Sequence, residues 1–268
     1  MALFPLKDDN PLTRIPFQYV TVAIIGACVA VFLWQVSLAA GGGAAVLGLG
    51  AIPAVVFGSR ELAPDLVLVP ASVTLVTSMF LHGGWMHLLG NMMFLWIFGD
   101  NVEDSMGHLR FLVFYLVSGV VAALAHAALN ADSIVPMVGA SGAISGVLGA
   151  YLVLHPKTQV LVLFMYMVTR LPAYVVLGLW IGLQVFNASM AGGSGGGTAW
   201  WAHIGGFIAG AALIVPFRHK SVPLFDGNGP RRRGGWPPRG PGRRPRRSII
   251  PDSRKRPRDY NLGQDGRR

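Results

Sequence analysis

Charged residues are scarce in this chain of 268 residues. Lysine, arginine, aspartate and glutamate make up 13% of the sequence, whereas soluble domains carry about a quarter. Hydrophobic residues make up 53%, and the mean hydropathy is +0.52. This balance excludes an ordinary soluble globular protein and predicts that most of the chain lies in lipid.

Cysteine is also nearly absent, since Cys28 is the only one. A disulfide within the chain is therefore impossible, and a single thiol in an apolar run is most often buried and unreactive. The first sixteen residues lack the net positive charge of a cleavable signal peptide, and the apolar run after them exceeds a signal core of ~7–15 residues. We interpret that run as a retained first membrane span.

Positive charge is concentrated at one end of the sequence. Up to Phe217 there are six basic and eight acidic residues, whereas from Arg218 onward there are sixteen basic and four acidic residues. This last part is rich in proline, glycine and arginine, so residues 218–268 are predicted to be a disordered tail that is attracted to anionic lipid headgroups. Beyond Trp236 and Tyr260 the tail lacks the interleaved aromatic residues that stack on bases, so no nucleic-acid partner is expected, and a specific partner is the less favoured alternative.

Six apolar segments approach the ~20 residues that a membrane-spanning helix needs. Their approximate bounds are Tyr19–Leu38, Trp85–Gly99, Leu109–Leu129, Ser141–His155, Leu171–Ala188 and Trp200–Phe217. Two shorter apolar stretches, Leu66–Leu81 and Gln159–Thr169, are interpreted as interfacial or partly embedded connections, although seven or eight spans remain possible. The prediction is an all-α polytopic membrane protein with an N-terminal cytoplasmic segment (1–18), a six-helix bundle (19–217) and the tail.

The basic residues orient this arrangement. With both ends inside the cell, 21 of the 22 lysines and arginines lie on the inner side and only Arg60 lies outside. This distribution agrees with the positive-inside rule. We therefore predict a multi-pass protein of the cell membrane with both termini in the cytoplasm, and the basic Gly-, Ala- and Arg-rich composition favours a bacterial source.

Three clusters of polar residues interrupt the apolar segments, where ionisable groups are costly and are functional candidates by default. They are His82 with His87 and Asn91 at the second segment, Ser141 at the fourth, and His203 at the sixth. Because even-numbered segments run from outside to inside, each cluster lies at the outer end of its helix. The predicted orientation therefore brings all three clusters to one depth.

The start of the fourth segment has features that suit catalysis. A serine at a helix N-terminus lies beside free N–H groups and the positive end of the helix dipole, which can stabilise a developing oxyanion. Small residues recur four apart as Gly142/Gly146 and Gly206/Gly210, a pattern that lets helices approach closely. Such an approach is what a hydrogen bond between the serine and the histidine of the sixth segment requires.

Each feature taken alone also has a structural explanation. A Gly-x-Ser-Gly sequence in an apolar helix usually serves packing, and His203 alone can be a satisfied core histidine. His87 and Asn91 share one helix face and can form interhelical hydrogen bonds. For His82, near a loop, a structural hydrogen bond explains the residue as well as a functional role does. Their joint occurrence favours a common site.

The clusters resemble the motifs of the rhomboid family of intramembrane serine proteases. The matching stretches are His87-Leu88-Leu89-Gly90-Asn91 (His-x-x-x-Asn), Gly139-Ala140-Ser141-Gly142 (Gly-x-Ser-Gly) and Ala202-His203-Ile204-Gly205-Gly206 (Ala-His-x-x-Gly). They occur in the family's order on the second, fourth and sixth spans, and the resemblance covers residues 15–217.

The resemblance implies hydrolysis of peptide bonds in or near the transmembrane segments of membrane-protein substrates, close to the extracytoplasmic face and without a cofactor or metal. It makes Ser141 the nucleophile and His203 the general base and then acid. The Ser141 N–H with the side chains of His87 and Asn91 would form the oxyanion site. Supporting positions are His82, Gly139, Gly142 and Gly206.

Two positions depart from the family pattern. The Trp-Arg pair that many members carry in the first loop is Ser59-Arg60 here, and the aromatic residue that some place four after the serine is Ser145. The histidine must therefore be held differently. In this family the fifth span and the loop after it are thought to gate substrate access, and Gly192–Gly197 would be the flexible stretch that suits this role.

Other functions fit the sequence less well. A zinc protease would need a His-Glu-x-x-His motif, which is absent. An aspartyl protease would need acidic residues within the spans, and the six predicted segments contain none. A transporter would carry polar residues along a path to both faces, whereas these crowd at one end. The remaining alternative is a catalytically inactive rhomboid-like binder that escorts membrane proteins, which loss of Ser141 or His203 would mark.

Overall fold

The computed structural model of the chain describes residues 3–38, 41–190 and 199–226. Within them the fold is mostly helical. The helices are α1 (Tyr19–Ser37), α2 (Gly42–Leu49), α3 (Pro53–Val56), α4 (Ala71–Thr77), α5 (Trp85–Met106), α6 (His108–Leu129), α7 (Ser141–Leu154), α8 (Ala173–Met190) and α9 (Trp200–Phe217). Two 3-10 turns, Pro64–Leu66 and Ser78–Phe80, flank α4, and three strands are β1 (Leu3–Asp8), β2 (Gln159–Phe164) and β3 (Met167–Pro172).

Several of these helices have the length and apolar character of membrane spans. Four described helices qualify on their own: α1, α6, α8 and α9. The stretch Pro64–Phe80 followed by α5 qualifies as a pair bent by 81°, which makes a fifth. Helix α7 is apolar but has 14 residues, short of the ~20 that an unthinned bilayer needs. The prediction of a mostly helical, multi-pass membrane bundle is therefore confirmed.

Helix α7 forms the centre of the bundle, since 11 of its 14 residues are buried. It packs against α9, α6 and α5. At the crossing with α9 the two backbones touch, because a Cβ added at Gly206 or Gly210 would collide with the carbonyl oxygen of Gly142 or Gly146. Only glycine fits at such a crossing, where the absence of a side chain lets two helices approach closely.

Helix α5 is longer than the predicted segment, which ended at Gly99. It continues to Met106 and ends at Gly107, whose φ of +83° is a conformation that glycine adopts without steric strain. The added turns contain Asp100, Glu103 and Asp104. The predicted boundary was too early because these acidic residues ended the apolar run without ending the helix.

The acidic end of α5 holds the N-terminal part of the chain in place. Glu103 accepts hydrogen bonds from the backbone N–H groups of Val20 (3.0 Å) and Thr21 (2.8 Å), in the first turn of α1. Asp104 accepts the N–H groups of Thr13 (3.1 Å), Arg14 (2.6 Å) and Ile15 (2.8 Å). Glu103 thus satisfies donors that the start of a helix leaves without intrahelical partners, and Asp104 binds the segment that precedes α1.

A three-stranded antiparallel sheet is the main departure from the all-α prediction. Strand β2 lies in the middle, paired with β1 on one side and β3 on the other, and β1 has an irregular register between Pro5 and Lys7. The stretch Gln159–Thr169, expected as an interfacial connection, forms most of the β2–β3 hairpin. Val160 and Val162 are buried. Buried and more exposed residues alternate along β2, but all of those after Gln159 are apolar, so the sequence does not show the period of a strand. The partner strand β1 is also about 150 residues away.

The described part of the chain also extends past the predicted start of the tail. Arg218–Asp226 folds back along the bundle, where the N–H groups of Phe225 and Asp226 donate to the carbonyl oxygens of Val153 and Leu154. Val222 is buried. The predicted start of the tail at Arg218 followed the overall composition of residues 218–268, whereas the stretch up to Asp226 has few of their charges. The remainder, 227–268, lies outside the described residues.

Candidate active site

Ser141 and His203 meet where the first turns of α7 and α9 lie side by side. Ser141 is the first residue of α7, and its Oγ is 2.8 Å from Nε2 of His203. The glycine contacts between the two helices allow this short distance. A serine hydroxyl bonded to an imidazole nitrogen can transfer its proton as the oxygen attacks a carbonyl carbon, so the pair can act as nucleophile and base.

The His203 ring is also contacted by side chains of α8 and of the start of α9. Nδ1 of His203 is 2.8 Å from Oε1 of Gln184. The ring of Trp180, one turn earlier on α8, lies 5.8 Å from the His203 ring and is tilted by 37°. Trp200 approaches the same ring edge-on at 6.2 Å. These contacts hold the His203 ring, although position 145 carries a serine and not an aromatic residue.

Ser145 has a local structural role. It is fully buried, and its hydroxyl donates to the carbonyl oxygen of Ser141 at 2.6 Å. A serine that bonds to the carbonyl four residues earlier satisfies its own hydroxyl inside an apolar helix. Ser145 therefore makes no contact that would position the His203 ring.

His87 and Asn91 face the pair from α5 and carry suitable donors. The N–H of Gly83 donates to Nδ1 of His87 at 3.3 Å, so the proton of the neutral ring is on Nε2. The side-chain nitrogen of Asn91 is buried and has no hydrogen-bond partner among the described residues. Both side chains therefore offer an N–H donor in the neighbourhood of Ser141.

The loop before α7 lies directly against these donors. Gly139 has a φ of +123°, and a Cβ built there would lie 2.7 Å from Nε2 of His87 and 3.6 Å from the side-chain nitrogen of Asn91. Its own N–H donates to the carbonyl of Ser78 at 2.9 Å. Ser141 follows at the helix start, where its N–H has no intrahelical acceptor. The loop thus brings a third donor to the same place.

These groups line a cavity of about 410 Å³. This volume lies within the ~300–1,000 Å³ that is usual for ligand sites. Polar lining residues are His87, Asn91, Ser141, Gln184 and His203. The apolar walls are formed by residues such as Met86, Phe94, Met137, Ile144, Trp180 and Trp200. The cavity therefore combines a small set of convergent polar groups with an apolar surround.

His82 does not line this cavity. Its backbone N–H donates to Oε1 of Gln35 at 3.0 Å, and Gln35 returns a hydrogen bond to the His82 carbonyl at 3.4 Å. Its ring packs edge-on against the ring of His87 at 5.3 Å. The two backbone bonds tie the segment before α5 to α1 and do not involve the imidazole, whose Nε2 is buried without a hydrogen-bond partner among the described residues, so both explanations of the His82 side chain stay open.

Gly142, Gly206 and the stretch Gly192–Gly197 are the remaining predicted positions. Gly142 and Gly206 lie at the α7–α9 crossing rather than in the cavity. The stretch Gly192–Gly197 lies outside the described residues. Within residues 3–38, 41–190 and 199–226, no cluster of three or more His, Cys, Asp or Glu side chains is arranged to hold a metal ion.

A family model described as "Rhomboid domain" matches residues 70–220, more than half of the chain. The chain belongs to the rhomboid family. Similar curated proteins include "Rhomboid protease GluP" of Bacillus subtilis (strain 168), 35% identical over 162 residues that cover 60% of this chain and 30% of that protein. Another is "Rhomboid protein 1, mitochondrial" of Saccharomyces cerevisiae, 32% identical over 152 residues (53% and 41%).

A chloroplast relative, "Rhomboid-like protein 11, chloroplastic" of Arabidopsis thaliana, is 30% identical over 155 residues that cover 54% of this chain and 52% of that protein. The chain thus spans about half, or less, of the length of these relatives. The family resemblance seen in the motifs is confirmed, and rhomboid membership supports an intramembrane-protease type of function. Some relatives are named proteases and others only rhomboid-like.

Gln184 and Trp180 were missed as site residues by sequence reasoning. Both lie in an apolar run that was interpreted as a span and nothing more. A signal was present, because a strongly polar side chain inside a membrane helix is costly unless it is hydrogen-bonded. The rule that singled out His203 applies equally to Gln184.

Proposed function

We propose that this rhomboid-family protein is an intramembrane serine endopeptidase in which Ser141 is the nucleophile and His203 the general base. The observation that carries the proposal is the 2.8 Å distance between Ser141 Oγ and His203 Nε2. Family membership supports the reaction class, and the unpartnered donor of Asn91 beside the pair supports an oxyanion site.

The reaction begins when Ser141 Oγ attacks the carbonyl carbon of the scissile peptide bond and its proton passes to Nε2 of His203. The carbonyl oxygen becomes an oxyanion, which the Ser141 N–H and the His87 and Asn91 side chains stabilise by hydrogen bonds. His203 then gives the proton to the leaving nitrogen as the C–N bond breaks, which releases an amine and leaves an acyl-serine ester.

Hydrolysis of the ester completes the cycle. His203 takes a proton from a water molecule as its oxygen attacks the ester carbon, and a second oxyanion forms. The proton then passes from His203 to Ser141 Oγ as the ester bond breaks, which releases the acid product and restores the pair. The same two side chains therefore serve both halves of the reaction.

The substrates that we propose are transmembrane segments of other membrane proteins. Carbonyl groups within a membrane helix are already hydrogen-bonded, so a substrate helix must unwind locally before Ser141 can reach a carbonyl carbon. Small or helix-weakening residues at the cleavage site make this unwinding easier. The apolar walls of the cavity suit the side chains of such a segment.

We further propose that α1, α5, α6, α7, α8 and α9 cross the membrane, with both termini in the cytoplasm and the site near the extracytoplasmic face. The basic residues on the inner side support this orientation. Helix α7 can cross despite its 14 residues because it is surrounded by other helices rather than by lipid. The proposed source is bacterial, with a disordered basic tail against anionic lipid.

Cleavage of a single-span model substrate by the purified protein tests the proposal. Wild type should cut, whereas Ser141→Ala and His203→Ala variants with matched thermal midpoints should not. A wild type that binds several substrates without cutting any would favour the inactive escort. Variants that cut as fast as wild type would remove both residues from the mechanism.

A further inference from the structure

We infer that Gln184 is the positioning residue for His203, and this inference rests on the proposed function. Its side-chain oxygen accepts the Nδ1 proton of the imidazole and thereby holds the tautomer whose Nε2 is free to take the Ser141 proton. The protein would thus have a Gln–His–Ser chain in which a neutral amide takes the place of the carboxylate found in triads of soluble serine proteases.

The geometry forms a continuous line of hydrogen bonds across three helices. Gln184 on α8 lies 2.8 Å from Nδ1 of His203 on α9, and Nε2 of the same ring lies 2.8 Å from Ser141 on α7. Among the described residues, these two are the hydrogen-bond partners of the His203 ring. Both ring nitrogens are therefore engaged, one on each side.

The tautomer decides whether the ring can act as a base. A neutral imidazole carries one proton, and the nitrogen that lacks it is the acceptor. A carbonyl oxygen can only accept a hydrogen bond, so Oε1 of Gln184 requires the proton on Nδ1. Nε2 is then the free base that faces Ser141. Without an acceptor at this place, the ring can carry its proton on Nε2 and is inert as a base.

The amide oxygen also favours the charged ring that forms during the reaction. After it takes the serine proton, the imidazolium donates from both nitrogens, and the Gln184 dipole stabilises the donor on Nδ1. Electrostatic interactions of this kind are stronger in an apolar interior than in water. Among the described residues, the titratable groups that interact with His203 from other helices are His87 on α5 and His126 on α6, and neither carries a negative charge.

Gln184 is better explained by this role than by helix packing alone. Only five of the 18 residues of α8 are buried, and Gln184 is one of them. Trp180 lies one turn earlier on the same helix and packs on the same imidazole ring. Gln184 and Trp180 of α8 thus both contact the His203 ring. An amide achieves this orientation without the high cost of a carboxylate within a membrane span.

Two substitutions separate positioning from packing. Gln184→Met keeps a similar volume and has no strong acceptor, whereas Gln184→Glu keeps an acceptor and adds negative charge. Leu183→Met on the exposed side of the same turn is the matched control. All variants are compared with wild type and Ser141→Ala at matched thermal midpoints, with kcat and KM measured across pH.

We expect Gln184→Met to lower kcat by about 10- to 100-fold with KM nearly unchanged, the range for loss of a hydrogen bond to a group that becomes charged. Gln184→Glu should retain activity, and its acid limb of kcat/KM should move to higher pH because the carboxylate favours the protonated ring. A residue that only packs would not move the pH profile. Leu183→Met should behave as wild type.

A second measurement does not depend on activity. Nitrogen-15 NMR of histidine-labelled protein, with the His203 signals identified from the His203→Ala variant, reports which ring nitrogen carries the proton. We expect the proton on Nδ1 in wild type and a shift towards Nε2 in Gln184→Met. Unchanged kcat, pH profile and tautomer in Gln184→Met, with Ser141→Ala inactive, would overturn the inference and leave the Ser–His pair standing. An inert wild type with the proton on Nδ1 would overturn the proposed function and leave the positioning by Gln184 standing.

Discussion

Gly139 controls the space around the proposed oxyanion donors, His87 and Asn91. Its φ of +123° is strained for any residue with a side chain, and a Cβ there would lie 2.7 Å from the His87 ring. Glycine therefore satisfies two demands at once, a backbone conformation and a close approach. Because of this approach the N–H at the start of α7 and the side chains of α5 can converge on one atom of a substrate.

Replacing His87 or Asn91 by alanine should lower kcat and leave KM nearly unchanged. Each variant loses one oxyanion donor, and a single donor of this kind is worth about 100- to 1,000-fold in kcat in a soluble protease. Leu89→Ala, on the exposed face of the same turns of α5, is the control. Turnover at the wild-type rate in both variants would exclude these side chains from the oxyanion site.

Asp8 is a buried carboxylate at the end of β1, outside the membrane helices. It accepts hydrogen bonds from the hydroxyl of Tyr151 at 2.6 Å and from the side-chain nitrogen of Asn101 at 2.8 Å. Burial raises the pKa of Asp8 to about 6, and the hydrogen bond from Tyr151 and the charge of His155 offset part of that effect. The carboxylate thus titrates near physiological pH.

The raised pKa predicts that Asp8 makes the folded state less stable as pH rises. Because the folded-state pKa exceeds the unfolded value of about 3.9, the stability from Asp8 is fully present below about pH 4 and is lost as pH rises through about 6. The loss is on the order of 2–3 kcal/mol. The thermal midpoint of wild type minus that of Asp8→Asn should therefore decrease as pH rises from about 4 to about 7.

Comparison with Asp8→Asn isolates this carboxylate from its ionisable neighbours Asp9, Asp100 and His155, which both proteins share. A difference in thermal midpoint that does not change across this pH range would show that Asp8 has the same affinity for protons in the folded and unfolded chain.

At the scale of elements, the crossing of α7 and α9 determines the site. The two helices touch backbone to backbone at Gly142/Gly206, directly after Ser141 on α7, and one turn further along at Gly146/Gly210. Separating the helices by the radius of one methyl group would lengthen the hydrogen bond between them beyond its useful range. The distance between Ser141 and His203 therefore depends on helix packing as much as on the two side chains.

Gly206→Ala should destabilise the fold and abolish cleavage, because its Cβ would collide with the backbone of α7. The expected loss in free energy of unfolding is about 1–3 kcal/mol, the usual cost of overpacking. Gly182→Ala on α8 is the matched control, since no atom lies within 4 Å of its added Cβ. Equal thermal midpoints and activities for the two variants would contradict the tight crossing.

At the scale of the whole molecule, segments distant in sequence close the end of the bundle opposite the site. The strand β1 pairs with β2, the carboxylates at the end of α5 bind the N-terminal backbone, and Asp226 lies 2.7 Å from Nδ1 of His155. The contact between Asp226 and His155 anchors the C-terminal end of α7. The start of that helix, with Ser141, is then free to face the cavity.

Two truncations distinguish the contribution of residues 218–226 from that of the residues after them. A chain that ends at Asn228 should cut its substrate at the wild-type rate and keep the wild-type thermal midpoint. A chain that ends at Phe217 should have a lower midpoint, because it loses the buried Val222 and the backbone bonds of Phe225 and Asp226, a loss on the order of 2 kcal/mol. Equal midpoints for the two chains would mean that residues 218–226 add nothing to stability.

Much of the helical architecture follows from local properties of the sequence. The first residues of α1, α5, α7 and α9 are those at which the predicted apolar segments begin. Prediction failed where the deciding contact was distant. The sequence did not predict the last turns of α5, because their acidic residues bind backbone N–H groups about 90 residues away. It did not predict the sheet, because β1 and β2 are far apart in sequence.

The sequence by itself determined that the protein is a multi-pass membrane protein of the rhomboid family, because apolar length, charge distribution and three motifs are local properties of the chain. Only the tertiary structure decided how His203 is held, by Gln184 and Trp180 from another helix. It also decided the 2.8 Å distance between Ser141 and His203. The physical reason is that hydrogen bonds act over about 3 Å, whereas residues that form them across helices lie tens of residues apart along the chain.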